Sequence, residues 1–194
     1  MTIKVDSEIT EEIIKGCLKG HKKSQRQLYD SLAPLMFSVC RRYINDHDTA
    51  QDVMIKAFMV VFQKLSQFRH EGSFEGWVRR IMVNESLTWL RKHKTMYLEV
   101  EIESANKEVD FDTISSKLNA EDLMLLIAGL PDGYRAVFNL YAIEGYSHAE
   151  IADQLGINVN TSKSQLSRAR AWLQRKLANQ QYLDDIKVVE NGNQ

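Results

Sequence analysis

Apolar positions recur along this chain at helical spacing almost from its start. Leu28, Leu32, Leu35, Met36, Val39, Cys40 and Tyr43 step by three and four residues, the period of one helix face. Pro34 falls inside that run and predicts a break or kink, because proline removes an amide donor and crowds the preceding turn. The polar tetrad Asn45-Asp46-His47-Asp48 predicts a turn. Over 49–65, Met54, Phe58, Val61 and Leu65 form a second stripe, widened by Val53, Ala57 and Phe62. Residues 69–73, with Gly72 among them, predict a loop, and a helix over 74–92 would follow, burying Trp77, Ile81 and Leu90.

Two-residue alternation appears once, where Leu98, Val100 and Ile102 interleave with Glu99, Glu101 and Glu103. In so acidic a segment the pattern predicts an extended linker in preference to a strand. Beyond it, Asn119 can cap a helix with Asp122 at its third position and Leu123, Leu126, Ile127 and Leu130 on its buried face. Leu130-Pro131-Asp132-Gly133 ends that helix; Asp132 can open a helix over 134–144, and Gly145 closes it. Ser147-His148-Ala149-Glu150 fits a capping box, in which serine accepts from the third amide and glutamate reaches back. The helix so opened turns Ile151, Ala152 and Leu155 inward, and Gly156 supplies a left-handed turn residue. Asn158 can cap a last helix running to about residue 177, with Ser162, Leu166, Ala169 and Leu173 on one stripe. The tail beyond residue 179 reads as frayed.

The expected fold class is therefore all-α, with two helical domains joined by an acidic linker. Two prolines and nine glycines in 194 residues leave little to interrupt long helices. The boundaries expected are an N-terminal extension over 1–24, a helical domain over 25–95, the linker over 96–119, a second domain over 120–180 and a tail over 181–194. Met1 to Thr10 is charged and lacks an apolar core, so no signal peptide is expected. The apolar runs, Ala57 to Phe62 among them, are far too short to span a bilayer, and the reading is a cytoplasmic protein with no membrane insertion. Cys17 and Cys40 stand alone and read as reduced packing thiols.

A net charge of -1 argues by itself against a nucleic-acid binder, but its distribution reverses that. Between Glu99 and Asp122 there are eight acids and two lysines, whereas 69–94 carries six Lys and Arg against three acids. Residues 148–176 carry five Lys and Arg against two acids. Two basic stretches flank an acidic belt, and local sign is what attracts phosphate. On the last helix, Asn160, Thr161, Ser164, Ser167 and Arg168 lie opposite the buried stripe, flanked by Lys163, Gln165 and Arg170. A helix, a glycine turn and a second helix with a polar N-terminal face is the geometry that enters a major groove. Arg168 can bond a guanine bidentately. A solvated helical hairpin carries similar caps and glycines, so this pattern alone leaves both readings open.

Further stretches tie these features to a known family. Thr49-Ala50-Gln51-Asp52-Val53-Met54-Ile55-Lys56-Ala57-Phe58 with Phe62-Gln63-Lys64-Leu65 resembles the polymerase-binding helix in region 2 of sigma-70-family factors. Phe74-Glu75-Gly76-Trp77-Val78-Arg79-Arg80-Ile81, with Asn84 and Trp89-Leu90-Arg91-Lys92, is similar to the promoter-melting part of that region. Leu130-Pro131, Tyr134-Arg135, Glu144-Gly145-Tyr146-Ser147 and Lys163-Ser164-Gln165-Leu166-Ser167-Arg168-Ala169-Arg170 resemble region 4. The matches run in family order, and nothing between them resembles region 3, which points to the small extracytoplasmic-function group.

The resemblance implies a sigma factor that binds core RNA polymerase and promoter DNA, single-stranded at the -10 element and duplex at the -35 element. Gln51, Asp52, Ile55, Lys56 and Gln63 would contact polymerase. Phe68, His70, Ser73 and Asn84 would receive a flipped base, which needs an aromatic wall and edge donors, while Arg79, Arg80, Arg91 and Lys92 would follow phosphates. Phe74 and Trp77 are divided between core packing and strand contact. Asn160, Thr161, Lys163, Ser164, Gln165, Ser167 and Arg168 would serve the -35 element. The acidic linker would run through the enzyme's basic path, imitating nucleic acid. An anti-sigma factor is a further partner the family allows, although no residue here shows one.

Four positions depart from the family pattern: Ser162 replaces the usual valine and thins the packing, Asn160 and Gln165 replace glycine and arginine, and Thr88 replaces a frequent aspartate. The competing reading is a stand-alone helix-turn-helix regulator on duplex operators, but 25–95 shows no phosphoacceptor or ligand motif. An enzyme is not expected, nor a cofactor or metal. His21, His47, His70, His93 and His148 are scattered, and no nucleophile, metal spacing or glycine-rich phosphate loop occurs.

Overall fold

A computed structural model describes the backbone of residues 11–93 and 120–191, and their side chains except at 120, 121 and 179–191. The Asn119 cap, the alternation at 97–103 and the linker over 96–119 fall outside those residues. The chain divides into two compact units, 1–93 and 94–194. Among the described residues both are built of helices, turns and loops.

The first unit contains α1 (Glu11–Leu18), α2 (Lys22–Arg41), α3 (His47–Lys64) and α4 (Phe74–Lys92), with a short 3-10 turn at Leu65–Gln67. Its core comes from one stripe of each long helix. Leu28, Leu32, Met36, Val39 and Cys40 of α2 meet Val53, Met54, Ala57, Phe58 and Val61 of α3. Leu35 and Phe62, expected inside, lie half-buried at the margins. Helix α2 runs through Pro34 as one element, so of the break or kink expected there the break does not occur. Pro34 sits on the exposed face, where the Asp30 carbonyl that loses its donor can be hydrated. Helix α3 starts two residues earlier than its apolar stripe suggests, because the Asp46 side chain caps it by accepting from the Thr49 amide at 2.9 Å. The Thr49 hydroxyl also donates to that carboxylate, and this bond first, then the amide, holds the Asp46 carboxyl below the usual aspartate range.

The phase of α4 differs from expectation. Trp77 and Ile81 are only half-buried, while Phe74, Val78, Met82, Val83, Ser86, Leu87 and Leu90 face α2 and α3. Two interleaved four-residue series compete here. The one from Trp77 and Ile81 runs into Glu85, whereas the one from Val78 and Met82 continues through Ser86 to Leu90 and alone closes the core. Ser86 is fully buried and its hydroxyl donates to the Met82 carbonyl at 2.8 Å. Beside it, burial pushes the Cys40 thiol up to about 11, so it is protonated and inert at neutral pH.

The second unit contains α5 (Ala120–Ala128), α6 (Asp132–Phe138), which continues as a π turn (Asn139–Ile143), then α7 (His148–Leu155) and α8 (Val159–Asn191). Ile127 and Leu130 are buried, and Leu123 and Leu126 half-buried. Asp132 does not cap α6: Pro131 holds the cap position without a side-chain bond, and the Asp132 carboxylate accepts from Arg135 instead. Arg135 is 1% exposed, and its Nη1 donates to the carbonyls of Ala128 at 3.2 Å and Leu130 at 2.8 Å. The guanidinium therefore satisfies carbonyls at the α5 terminus that no helix amide reaches. Helix α8 runs to Asn191, well past residue 177 and through most of the segment expected to fray, since 178–191 holds neither glycine nor proline to stop it.

The phase of α4 can be tested by truncation. Met82→Ala should cost about 2–5 kcal/mol in urea denaturation, and Ile81→Ala less than half as much. Equal losses would put the helix in the other phase.

Candidate nucleic-acid interface

Helix α3 spends one face on the core and leaves the opposite face open. Gln51, Asp52, Ile55, Lys56 and Gln63 are all exposed there. Between them stand two apolar side chains one turn apart, Ile55 at 42% exposure and Met59 at 57%. Met59 was not singled out from the sequence. Its signal was its spacing, four residues from both Ile55 and Gln63 and off the buried stripe.

The loop before α4 gathers aromatic rings. Phe68 lies 4.6 Å from the His70 ring, 5.1 Å from Phe74 and 5.6 Å from Trp77, centroid to centroid. Phe74 is buried and acts as the floor of this cluster; Trp77 and Phe68 are half-buried and form its wall. His70 has φ 59°, a left-handed conformation that costs a side-chain-bearing residue energy, and its ring is exposed. Ser73 caps α4, its hydroxyl oxygen accepting from the Gly76 amide at 3.0 Å, which leaves the hydroxyl proton to donate elsewhere. Glycine suits position 76 because a Cβ there would meet that oxygen at 2.9 Å.

Along α4, Arg80, Asn84 and Arg91 are exposed on one face, with Lys92 exposed beside them and Arg79 half-buried. Thr88 knits this face together. Its hydroxyl donates to the Asn84 carbonyl at 2.8 Å and accepts from Arg91 at 3.1 Å. Phe68, His70 and Ser73 are thus brought to one end of α4, while Arg80, Asn84 and Arg91 run along it.

In the second unit the capping box is complete. The Ser147 amide donates to Glu150 at 2.8 Å and the Glu150 amide to the Ser147 hydroxyl at 3.3 Å. The Ser147 hydroxyl, donating to the Glu150 carboxylate at 2.7 Å, and then the Ser147 amide hold that carboxyl below its ordinary range. Gly156 ends α7 at φ 65°, and the Ile157 amide closes on the Ala152 carbonyl at 3.0 Å. Asn158 caps α8 by accepting from the Asn160 amide at 2.8 Å. On α8, Ser162, Leu166, Ala169 and Leu173 are buried, as their spacing predicts.

Outward, Asn160, Lys163, Ser164 and Ser167 are exposed, and Thr161, Gln165 and Arg168 half-buried. Two of these are turned back onto the protein. Ser164 donates to the Thr161 carbonyl at 3.0 Å, and the Gln165 carbonyl oxygen is shielded from solvent. Ser162 does more than leave a gap: its hydroxyl meets His148 Nδ1 at 2.9 Å, joining the first turns of α7 and α8. The His148 ring stacks on Tyr141 of the π turn at 4.8 Å, and the Arg170 guanidinium stands 5.8 Å from that tyrosine ring. Burial first, then the charges of Lys163 and Arg170, lower the His148 pKa from 6.5. Beyond the capping box, sequence reasoning had assigned His148 no role. No group of three or more His, Cys, Asp or Glu among the described residues could hold a metal, and no described helix is long and apolar enough to cross a membrane.

Comparison with known proteins finds the model of Sigma-70 region 2 over residues 28–95 and that of Sigma-70, region 4 over 120–173. The chain is 34% identical over 142 residues to the ECF RNA polymerase sigma factor SigE of Mycolicibacterium smegmatis, a match covering 69% of the chain and 53%, about half, of that protein. It is 27% identical over 176 residues to the ECF RNA polymerase sigma factor SigW of Bacillus subtilis, covering 84% of the chain and 94% of SigW. Among solved structures, the sigma factor RpoE in complex with the anti-sigma factor NepR from Bartonella quintana shares 23% identity and a TM-score of 0.47, covering 79% of this chain and 96% of that one.

The capping box should be visible in acid titration. Its ionised glutamate adds stability above the unfolded value near 4.5 and loses it as pH falls through the lower folded value. In Glu150→Gln, the fall of Tm between about pH 5 and pH 3 should be shallower than in the parent. Parallel slopes would show that the box does not depend on charge.

Proposed function

This chain belongs to the sigma-70 family of RNA polymerase sigma factors, in its extracytoplasmic-function group, and from that premise we propose that it directs core RNA polymerase to promoters. The observation that carries the reading is the order of the two matched regions, each falling on a separate unit that keeps a polar or basic face free of its own core. The reading takes 25–95 for docking and the -10 element, 96–119 for the acidic strap and 120–180 for the -35 element. In this scheme polymerase supplies the catalysis and the chain supplies the address.

On α3, the exposed Ile55–Met59 pair forms the apolar centre of the polymerase contact, with Gln51, Asp52, Lys56 and Gln63 as its polar rim. Protein contacts of this kind concentrate their energy in a few desolvated side chains at the centre. The aromatic cluster of Phe68, His70 and Trp77 then receives an unstacked base, with the Ser73 hydroxyl as edge donor, and Asn84 meets the strand further along α4. Each base stacked on an aromatic ring contributes about 1–3 kcal/mol, so a few captured bases can hold a melted segment open. Arg80, Arg91 and Lys92 neutralise the adjoining backbone. In the second unit Asn160, Lys163, Ser167 and Arg168 face the duplex, Arg168 as the guanine reader.

Run-off transcription with core polymerase on a genomic promoter library tests the whole reading. Initiation at a defined set of promoters supports it; duplex binding without polymerase association would favour the stand-alone regulator. Two substitutions separate the units. Met59→Lys should abolish co-purification with core polymerase while leaving duplex binding intact. Arg168→Ala should do the reverse, relaxing discrimination at one -35 base pair by about 1–3 kcal/mol with polymerase binding unchanged. Loss of both activities in Arg168→Ala would make that side chain structural.

A further inference from the structure

One cluster in the second unit brings two cations to a titratable ring. The His148 ring sits where three elements meet: it belongs to the first turn of α7, stacks on Tyr141 of the π turn and bonds Ser162 of α8. Lys163 and Arg170 of α8 are near enough to disfavour a proton on it. On its own helix the nearest acid in sequence, Glu150, is engaged by Ser147. Two cations and a titratable imidazole therefore share one patch, which raises the free energy of the isolated chain unless an anion arrives.

The hydrogen bonding of the imidazole fits such an anion. Nδ1 faces the Ser162 hydroxyl, and Nε2 has no partner among the described residues. A hydroxyl both donates and accepts. It can give its proton to a neutral imidazole, or rotate and accept from an imidazolium, so the bond survives either state. Valine at 162 could do neither. Whenever Nδ1 accepts, Nε2 carries the hydrogen and becomes the donor toward any ligand. The ring lies on the flank of α8, the helix whose outer face carries Asn160, Ser164 and Ser167.

We propose that His148, with Lys163 and Arg170, forms a backbone-phosphate site beside the reading helix, and that the imidazole takes up a proton as the phosphate binds. This rests on the second unit being a duplex reader. No covalent bond changes; one solvent proton moves onto the ring, and the Nε2–H donates to a phosphate oxygen. The sign follows from linkage. In the free chain the ring is neutral at neutral pH; in the complex the phosphate favours the cation. The complex thus holds more protons than its parts, and affinity rises as pH falls through the interval between the free and bound pKa values.

Phosphate contacts do not depend on sequence, so the probe is a mixed-sequence duplex of about two helical turns at low salt, bound by the full chain and followed by fluorescence anisotropy. Between about pH 8 and pH 6 the parent should tighten several-fold, with a ceiling of about tenfold per pH unit for one proton. His148→Gln should lose that difference. At about pH 6 its log–log salt slope should also be shallower by about 0.9, the share of one phosphate, and at about pH 8 equal to that of the parent. Imidazole titration of the unaltered chain by NMR needs no variant and should show the His148 midpoint rising when duplex is added. Duplex bound with an unmoved midpoint and equal slopes overturns the phosphate site and leaves the duplex reading intact. If neither the chain nor its polymerase complex binds duplex at any pH, the duplex reading itself fails.

Discussion

Ser162, Leu166, Ala169 and Leu173 are closed off from solvent along one side of α8, and the rest of the second unit is arranged around that contact. Because a helix turns 100° per residue, committing these four positions to burial also commits Asn160, Lys163, Ser164 and Ser167 to the outside. The stripe needs a partner surface, which α6 and α7 supply through Val137, Phe138, Ile151 and Leu155. Holding α6 against the end of α5 requires a further device, and Arg135 is that device. Its guanidinium is withdrawn from water and matched to two carbonyls and a carboxylate. A buried charge left unmatched would cost several kcal/mol, so the clasp fixes the Leu130–Asp132 turn in one conformation.

The same logic governs the first unit with different materials. There three helices of 20, 18 and 19 residues share the core, and the outward faces of α3 and α4 are left to other business. Ile55 and Met59 show where burial has been refused: α3 places two apolar side chains in water, on the face turned away from its core stripe. Scattered exposed apolar residues are ordinary. Two stacked one turn apart amid polar neighbours form a small patch, the kind that a partner covers.

Caps, periods and glycine placement were legible in the sequence because each is a local rule. Ser147 with Glu150, Gly156, Asn158 and the stripe of α8 stand where their spacing puts them. What was not legible was decided by contacts between distant residues. Trp77 and Ile81 have the right spacing for a core face, and only packing against α2 and α3 selects Val78 and Met82 instead. Asp132 looks like a cap until Arg135 claims its carboxylate. Pro34 carries a strong local penalty, yet the helix continues because its freed carbonyl faces water and the core residues on both sides need the same axis. On the candidate surfaces, exposure was foreseeable residue by residue, but the inward turn of the Gln165 carbonyl and the bond from Ser164 to Thr161 were not.

Ser162 marks where local rules and long-range contacts diverge most. By period alone it is a core position filled by a residue too small and too polar, and the natural inference is weaker packing. A buried hydroxyl without a partner would indeed cost about 1–3 kcal/mol. His148, fourteen residues earlier, removes that cost by presenting Nδ1 at 2.9 Å, and Tyr141 fixes the ring plane by stacking on it. The exchange replaces a contact indifferent to angle with one that holds only when α7 and α8 cross at a particular register. A valine there would tolerate a small rotation of the reading helix; a hydrogen bond to an oriented imidazole resists it. Loss of apolar bulk is thus compensated by definition of geometry, at the point where a helix must present its outer face to a groove of fixed width.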